Sequence, residues 1–145
     1  MASIVRLCAA AALAALSAAH PGYVLLNPNG GNVTIPHGIK AIGHTNGEGG
    51  GPTTPYGDDF VGQGNNWTQA LCLHDSDGDG QTNGLELGDP CCVWSVGSKP
   101  SVSHAISHPG LADYTTTRKC KSYKCSNGVD PCTPQPLPRR RALRG

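Results

Sequence analysis

Aromatic side chains are scarce in this chain, with two Trp, four Tyr and a single Phe among 145 residues. Charge is thin as well, at 14% of residues and a formal net of +1. The first shortage leaves little large apolar surface for a core, and the length suits one short domain. The second argues against a nucleic-acid-binding domain, which carries a clustered basic face, and against a charge-driven disordered chain. A GxSxG elbow and a CxxC pair are both missing, and the glycines at 47 and 49–51 form neither GxGxxG nor a Lys-terminated phosphate loop. Hydrolase, nucleotide-dependent and zinc-ribbon readings therefore lack a site.

What is abundant is glycine, proline and cysteine, at 20, 12 and 7 residues. Residues 1–19, MASIVRLCAAAALAALSAA, combine Arg6, an apolar run from Leu7 to Leu16 and small residues at Ser17, Ala18 and Ala19. That is the pattern of a cleavable signal peptide. The run is well short of the roughly 20 residues of a spanning helix, and His20-Pro21-Gly22 ends it, so no transmembrane span is expected. Cleavage after Ala19 would give a secreted, extracellular protein and remove Cys8. The remaining Cys72, Cys91, Cys92, Cys120, Cys125 and Cys132 are even in number, as a disulfide framework requires. The vicinal Cys91 and Cys92 can bond to each other only in a strained ring, so each is expected to pair elsewhere. A bridge from Cys72 to Cys91 or Cys92 would enclose an acidic loop. Asn32-Val33-Thr34 and Asn66-Trp67-Thr68 are candidate glycosylation sites of a secreted glycoprotein.

The fold class expected is α+β, small and loop-rich, with short β-strands, one main helix and disulfide staples. Tyr23–Leu26 and Asn32–Ile35 read as strands around the turn-forming Asn-Pro-Asn-Gly-Gly. Residues 41–58 form a long Gly/Pro loop. The helix expected from Asp59 to His74 places Phe60, Trp67, Ala70, Leu71 and Leu73 at three- and four-residue spacing, with Trp67 and Leu71 as core. Asp58 and Asp59 start it, where anions meet the positive end of the dipole. Val93–Val96 is a further expected strand. The organisation is thus a signal peptide over 1–19, a domain over 20–112, a Cys-rich extension over 113–132 and a disordered Pro/Arg-rich tail over 133–145.

The strongest chemical motif is Asp75-Ser-Asp77-Gly-Asp79-Gly80-Gln81-Thr-Asn83-Gly-Leu-Glu86, which fits the twelve-position D-x-D-x-D-G-x₅-E template. Asp75, Asp77 and Asp79 each offer a carboxylate oxygen, Gly80 takes the sharp turn, and Gln81 contributes its backbone carbonyl. Asn83 can hold a water, and Glu86 closes the shell as a bidentate ligand. Such a set of hard oxygens suits calcium better than magnesium. Without an ion the four carboxylates repel one another. Asp89-Pro90 soon after Glu86 bars an extended second helix, so a structural calcium is expected rather than a groove-opening sensor.

The string from Ile42 to Trp94 contains GHTNGEGGG, PYGDDF, the Trp67 helix with LC, and DSDGDGQTNGLELGDPCCVW, and Ser107-His108-Pro109-Gly110 follows. These motifs resemble the temptin family over roughly residues 23–110. Temptins are small secreted proteins named from a waterborne mollusc pheromone component. The resemblance implies a disulfide-linked extracellular domain with a role in signalling or protein interaction. It supports Cys72 pairing with Cys91 or Cys92 and marks His44 and His108 as motif positions. The second cysteine of the Cys91-Cys92 pair and the Cys-rich basic tail depart from the mollusc pattern.

The histidines carry a rival reading. Were His20 the first residue of the mature chain, its amine and ring nitrogen could chelate copper. His44 or His108 would then complete a histidine brace like that of polysaccharide monooxygenases. His37, His74 and His104 read as surface or hydrogen-bonding residues, and Arg139–Arg141 with Arg144 as a solvated terminus or a processing site. The leading expectation is a monomeric, non-enzymatic extracellular protein, stapled by disulfides and structural calcium, that acts by binding a protein partner.

Overall fold

The structure is a computed structural model, and it describes residues 21–138. The expected signal peptide, His20, Arg139–Arg141 and Arg144 lie outside the described residues.

Three short helices organise the chain, each started by a threonine. Thr54 caps α1 (Pro55–Gly62) by accepting from the Gly57 amide, with Pro55 in its first turn. Thr68 caps α2 (Gln69–Leu73) through the Leu71 amide, and Thr82 caps α3 (Asn83–Leu87) through the Leu85 amide. A threonine oxygen at this place satisfies an amide that has no partner inside the helix. Pro21–Leu26 and Cys120–Ser122 form 3₁₀ turns. Strand structure among the described residues is limited to the isolated bridges Ile35–Ser107, parallel, and His44–Thr53, antiparallel.

Three expected elements take a different form. The helix expected over Asp59–His74 is two helices, α1 and α2, because the chain reverses at Gly64 (φ 71°) and Asn65 (φ 57°) before Thr68 starts afresh. Tyr23–Leu26 is part of a 3₁₀ turn instead of a strand; Asn27 closes it by donating from Nδ2 to the Tyr23 carbonyl at 2.8 Å. Val93–Val96 forms no strand, since the Val93 and Trp94 amides donate to the Asp89 carboxylate at 2.9 and 3.1 Å. Of the expected strand Asn32–Ile35 only the Ile35 bridge exists, with the Thr34 and Ile35 amides both reaching the Ile106 carbonyl.

The core is small. Tyr56 and Phe60 of α1, Leu71 of α2 and Leu87 of α3 meet Val33, Ile42 and Ile106 from the connecting segments, and Leu26, Ile39 and Trp67 pack against them. The Tyr56 and Phe60 rings stack at 6.3 Å, and Tyr23 meets Phe60 edge-on at 6.1 Å. Fully buried Tyr56 donates its hydroxyl to Asn27 Oδ1.

Disulfides supply what so limited a core does not. They join Cys72 to Cys92, Cys91 to Cys125 and Cys120 to Cys132. Each half of the vicinal pair therefore leaves in a different direction: Cys92 ties the segment after α3 back to α2, and Cys91 ties it to the C-terminal extension. Fully buried Asp89, two residues before Cys91, accepts from Trp67 Nε1 at 2.9 Å as well as from the two amides.

Candidate metal centre

The acidic loop hangs between α2 and α3. Those helices are held close, since a Cβ on Gly84 of α3 would collide with Sγ of Cys72 in α2. Asn83 locks the loop mouth: its amide donates to the His74 carbonyl at 2.7 Å, and its Nδ2 donates to the Leu71 carbonyl and Ser76 Oγ at 2.8 and 2.9 Å. Inside the loop Asp75 accepts from the Gly78 and Gly80 amides, both at 2.8 Å, and Asp79 from the Gln81 amide at 2.7 Å. Gly80 carries φ 90°, the left-handed conformation that its position in the template requires.

These bonds bring Asp75, Asp77 and Asp79 together, with one carboxylate oxygen from each lying within 4.8 Å of the others. Among the described residues this is the group of three His, Cys, Asp or Glu side chains placed to share an ion. Glu86 stands outside that set. It is fully buried in α3, one residue before its end, and its Oε1 accepts from Ser107 Oγ at 2.8 Å. Three carboxylate oxygens of the motif are buried with no hydrogen-bond partner: Asp77 Oδ2, Asp79 Oδ2 and Glu86 Oε2.

The electrostatics follow from that burial. Desolvation pushes the Glu86 carboxyl up to about 9; the Ser107 hydrogen bond pulls the other way, and the charges of Asp77, Asp79 and Asp75 add to the rise. Asp77 is pushed up to about 6, by burial first and the Asp79 charge second. Asp79 is raised too, burial outweighing its bond from the Gln81 amide. Crowded carboxylates that each keep one buried oxygen without a partner have the donor chemistry of a hard cation site, which would replace protons as the balancing charge.

Several residues that support this loop carry no motif. The Gln81 side chain pairs with the Thr116 backbone, donating from Nε2 to its carbonyl at 3.0 Å and accepting its amide at 2.9 Å. Arg118 turns inward, donating to the Leu85 and Glu86 carbonyls of α3 and to the His104 carbonyl. Thr82 Oγ1 reaches the Pro131 carbonyl at 3.4 Å. Segment 113–132 thereby contacts both the loop and the helix that carries Glu86. Arg118 is one of four cations between positions 118 and 124 of a Cys-rich stretch, and nothing in their spacing singles it out.

The histidines do not gather. His44 lies in the glycine loop with Nδ1 at 3.3 Å from the Gly51 carbonyl. His108 is fully buried, its Nδ1 accepts from the Gly110 amide at 3.1 Å, and burial pushes its pKa down to about 4. His74 contacts Asp59 at 3.4 Å and the Gln135 carbonyl at 2.8 Å, while His37 and His104 are exposed. No three-nitrogen set assembles among the described residues, and the copper reading finds no support. The two sequon asparagines, Asn32 and Asn66, are exposed.

A family model described as Temptin C-terminal matches residues 17–111. The chain belongs to the temptin family. It is 46% identical over 109 residues to the protein named Temptin from Aplysia californica, covering 72% of this chain and 87% of that one. No solved structure matches it. The temptin match takes in the whole acidic loop and Ser107, and it stops at Leu111, before Thr116 and Arg118. Temptin homology and three disulfides together suggest an extracellular protein, since such bonds persist in oxidising compartments. No helix among the described residues is long and apolar enough to cross a membrane.

Proposed function

We propose that this temptin-family chain is a secreted, non-enzymatic protein, exported by residues 1–19 and glycosylated at Asn32 and Asn66. It acts in extracellular signalling by binding a protein partner, and it holds one structural calcium ion in the loop from Asp75 to Glu86. The observation that carries the calcium reading is the set of buried, unpartnered oxygens on Asp77, Asp79 and Glu86 around the clustered aspartates. An ion there would take carboxylates from Asp75, Asp77, Asp79 and Glu86 and the Gln81 carbonyl. The role is to complete the fold: α2, α3 and segment 113–132 all converge on this loop, so neutralising its charge stabilises their junction.

The test is thermal unfolding of the secreted protein in calcium and in chelator, with calorimetric titration of the chelated protein. A lower midpoint in chelator and a single binding event support the reading. Identical midpoints together with no heat of binding overturn it. A site of about 10⁻⁴–10⁻³ M would suffice outside the cell, and at a hundredfold excess of ion it would add about 2.7 kcal/mol.

A further inference from the structure

A cleft of about 320 Å³ opens where the extension folds back beside the acidic loop. Its lining is mostly apolar and includes Leu85, Pro131 and the Cys120–Cys132 disulfide, together with the cationic Arg118, Lys119 and Lys121. No carboxylate lines it, and from Tyr114 to Val129 the chain has no Asp or Glu.

Arg118 is spent inward on the carbonyls of α3 and His104. Lys119, Lys121 and Lys124 are exposed, and the ion pairs among the described residues, Lys40–Glu48 and His74–Asp59, involve none of them. Two of these unpaired ammonium groups, Lys119 and Lys121, line the cleft on either side of Cys120, and Lys124 follows three positions on, so the segment carries charge of one sign in a chain whose net charge is only +1.

We propose that this cleft and its lysine rim bind a sulfated polysaccharide. Sulfate esters stay ionised at any extracellular pH and suit a row of compact ammonium charges. A sugar ring offers the flat C–H face that Leu85, Pro131 and the disulfide can cover. A membrane fits less well, because the exposed large apolar residues Tyr23, Leu25, Val61, Val93, Val96 and Tyr114 all lie outside the cleft lining, leaving nothing there to insert between lipids. The inference is independent of the calcium reading, since the lysines and the disulfide exist without an ion.

The experiment measures affinity of the full chain for heparin as a function of salt, in calcium and in chelator. The variants are K119Q/K121Q/K124Q, the control K40Q/K99Q, and a chain ending at Pro138. Neutralising Lys119, Lys121 and the neighbouring Lys124 is expected to weaken binding at least tenfold in both conditions. It should also reduce the slope of log K against log salt by about one per lysine that contacts the polyanion. The control pair and the truncation should retain affinity, and an unchanged thermal midpoint shows that each variant is folded. Full heparin affinity in the triple variant overturns the proposal. So does loss of affinity on removing residues 139–145 alone, or binding to phosphatidylserine vesicles without binding to heparin.

Discussion

Ser107 Oγ donates to Glu86 Oε1 at 2.8 Å, across twenty-one positions of chain, and so orients the last carboxylate of the acidic loop from outside the loop. The same two residues meet through the backbone, the Ser107 amide donating to the Glu86 carbonyl at 3.2 Å. One side-chain oxygen of Glu86 is thus held, and the other is buried without a hydrogen-bond partner.

Glu86→Gln separates the two demands on this position. The amide removes a buried acid but keeps the Ser107 bond, so the calcium-free protein should be as stable as the parent or slightly more so. Its calcium affinity should fall more than tenfold, since a charged ligand is lost. Ser107→Ala should instead cost about 1 kcal/mol in either state, the net worth of one hydrogen bond. Denaturant melts with and without chelator distinguish the pair, and equal calcium affinity in Glu86→Gln would contradict this account.

The pH dependence should flatten on adding calcium. Glu86 and Asp77, raised to about 9 and about 6 by burial, favour the folded state while protonated. Their contribution is therefore complete below the ordinary carboxylate range near pH 4 and is lost as pH rises through 6 and on toward 9. Chelated protein should lose stability across that window. Saturating calcium should oppose the loss, because the ion takes the deprotonated carboxylates, and proton release should accompany binding. Thermal midpoints from pH 5 to 9 in the two conditions read this directly.

Gly88→Ala should destabilise the protein by about 2–4 kcal/mol. Gly88 closes α3 at φ 80°, and a Cβ there would collide with the Val102 carbonyl and approach Asn29 Nδ2 to 2.7 Å. Asn29 is itself the clasp of this corner, donating to the Leu87 and Val102 carbonyls at 2.9 and 2.6 Å. Gly78→Ala meets no neighbour within 4 Å, although its φ of 79° is also left-handed, so it reports the strain of positive φ alone. It should cost about 1 kcal/mol.

Non-reduced peptide mapping should recover Cys72–Cys92, Cys91–Cys125 and Cys120–Cys132, with no vicinal bridge. Replacing Cys91 and Cys125 together by Ser should cost about 2–4 kcal/mol. It should also expose the extension to protease, because only hydrogen bonds, at Thr116, Arg118, Asn127 and Pro131, would then tie it back to the domain. A protease-resistant extension in that variant would show the covalent tie to be dispensable.

Legible in the amino-acid order alone were the family resemblance, the even cysteine count, the refusal of Cys91 and Cys92 to pair with each other, and the clustering of Asp75, Asp77 and Asp79. All are local properties: the aspartates stand two residues apart on a glycine turn, so spacing decides their meeting. Helix limits were less accessible. Apolar spacing suggested one helix through Trp67, but the left-handed turn at Gly64 and Asn65 divides it, and Tyr23–Leu26 coils because Asn27 closes it. Only the tertiary structure decided which cysteine of the vicinal pair meets Cys72, that Asp89 takes the amides of a would-be strand, and that Ser107, Thr116 and Arg118 support the loop and α3 from 21 to 35 residues away. Those partners are chosen by which surfaces the small core and its staples bring together, and chain spacing carries no record of that choice.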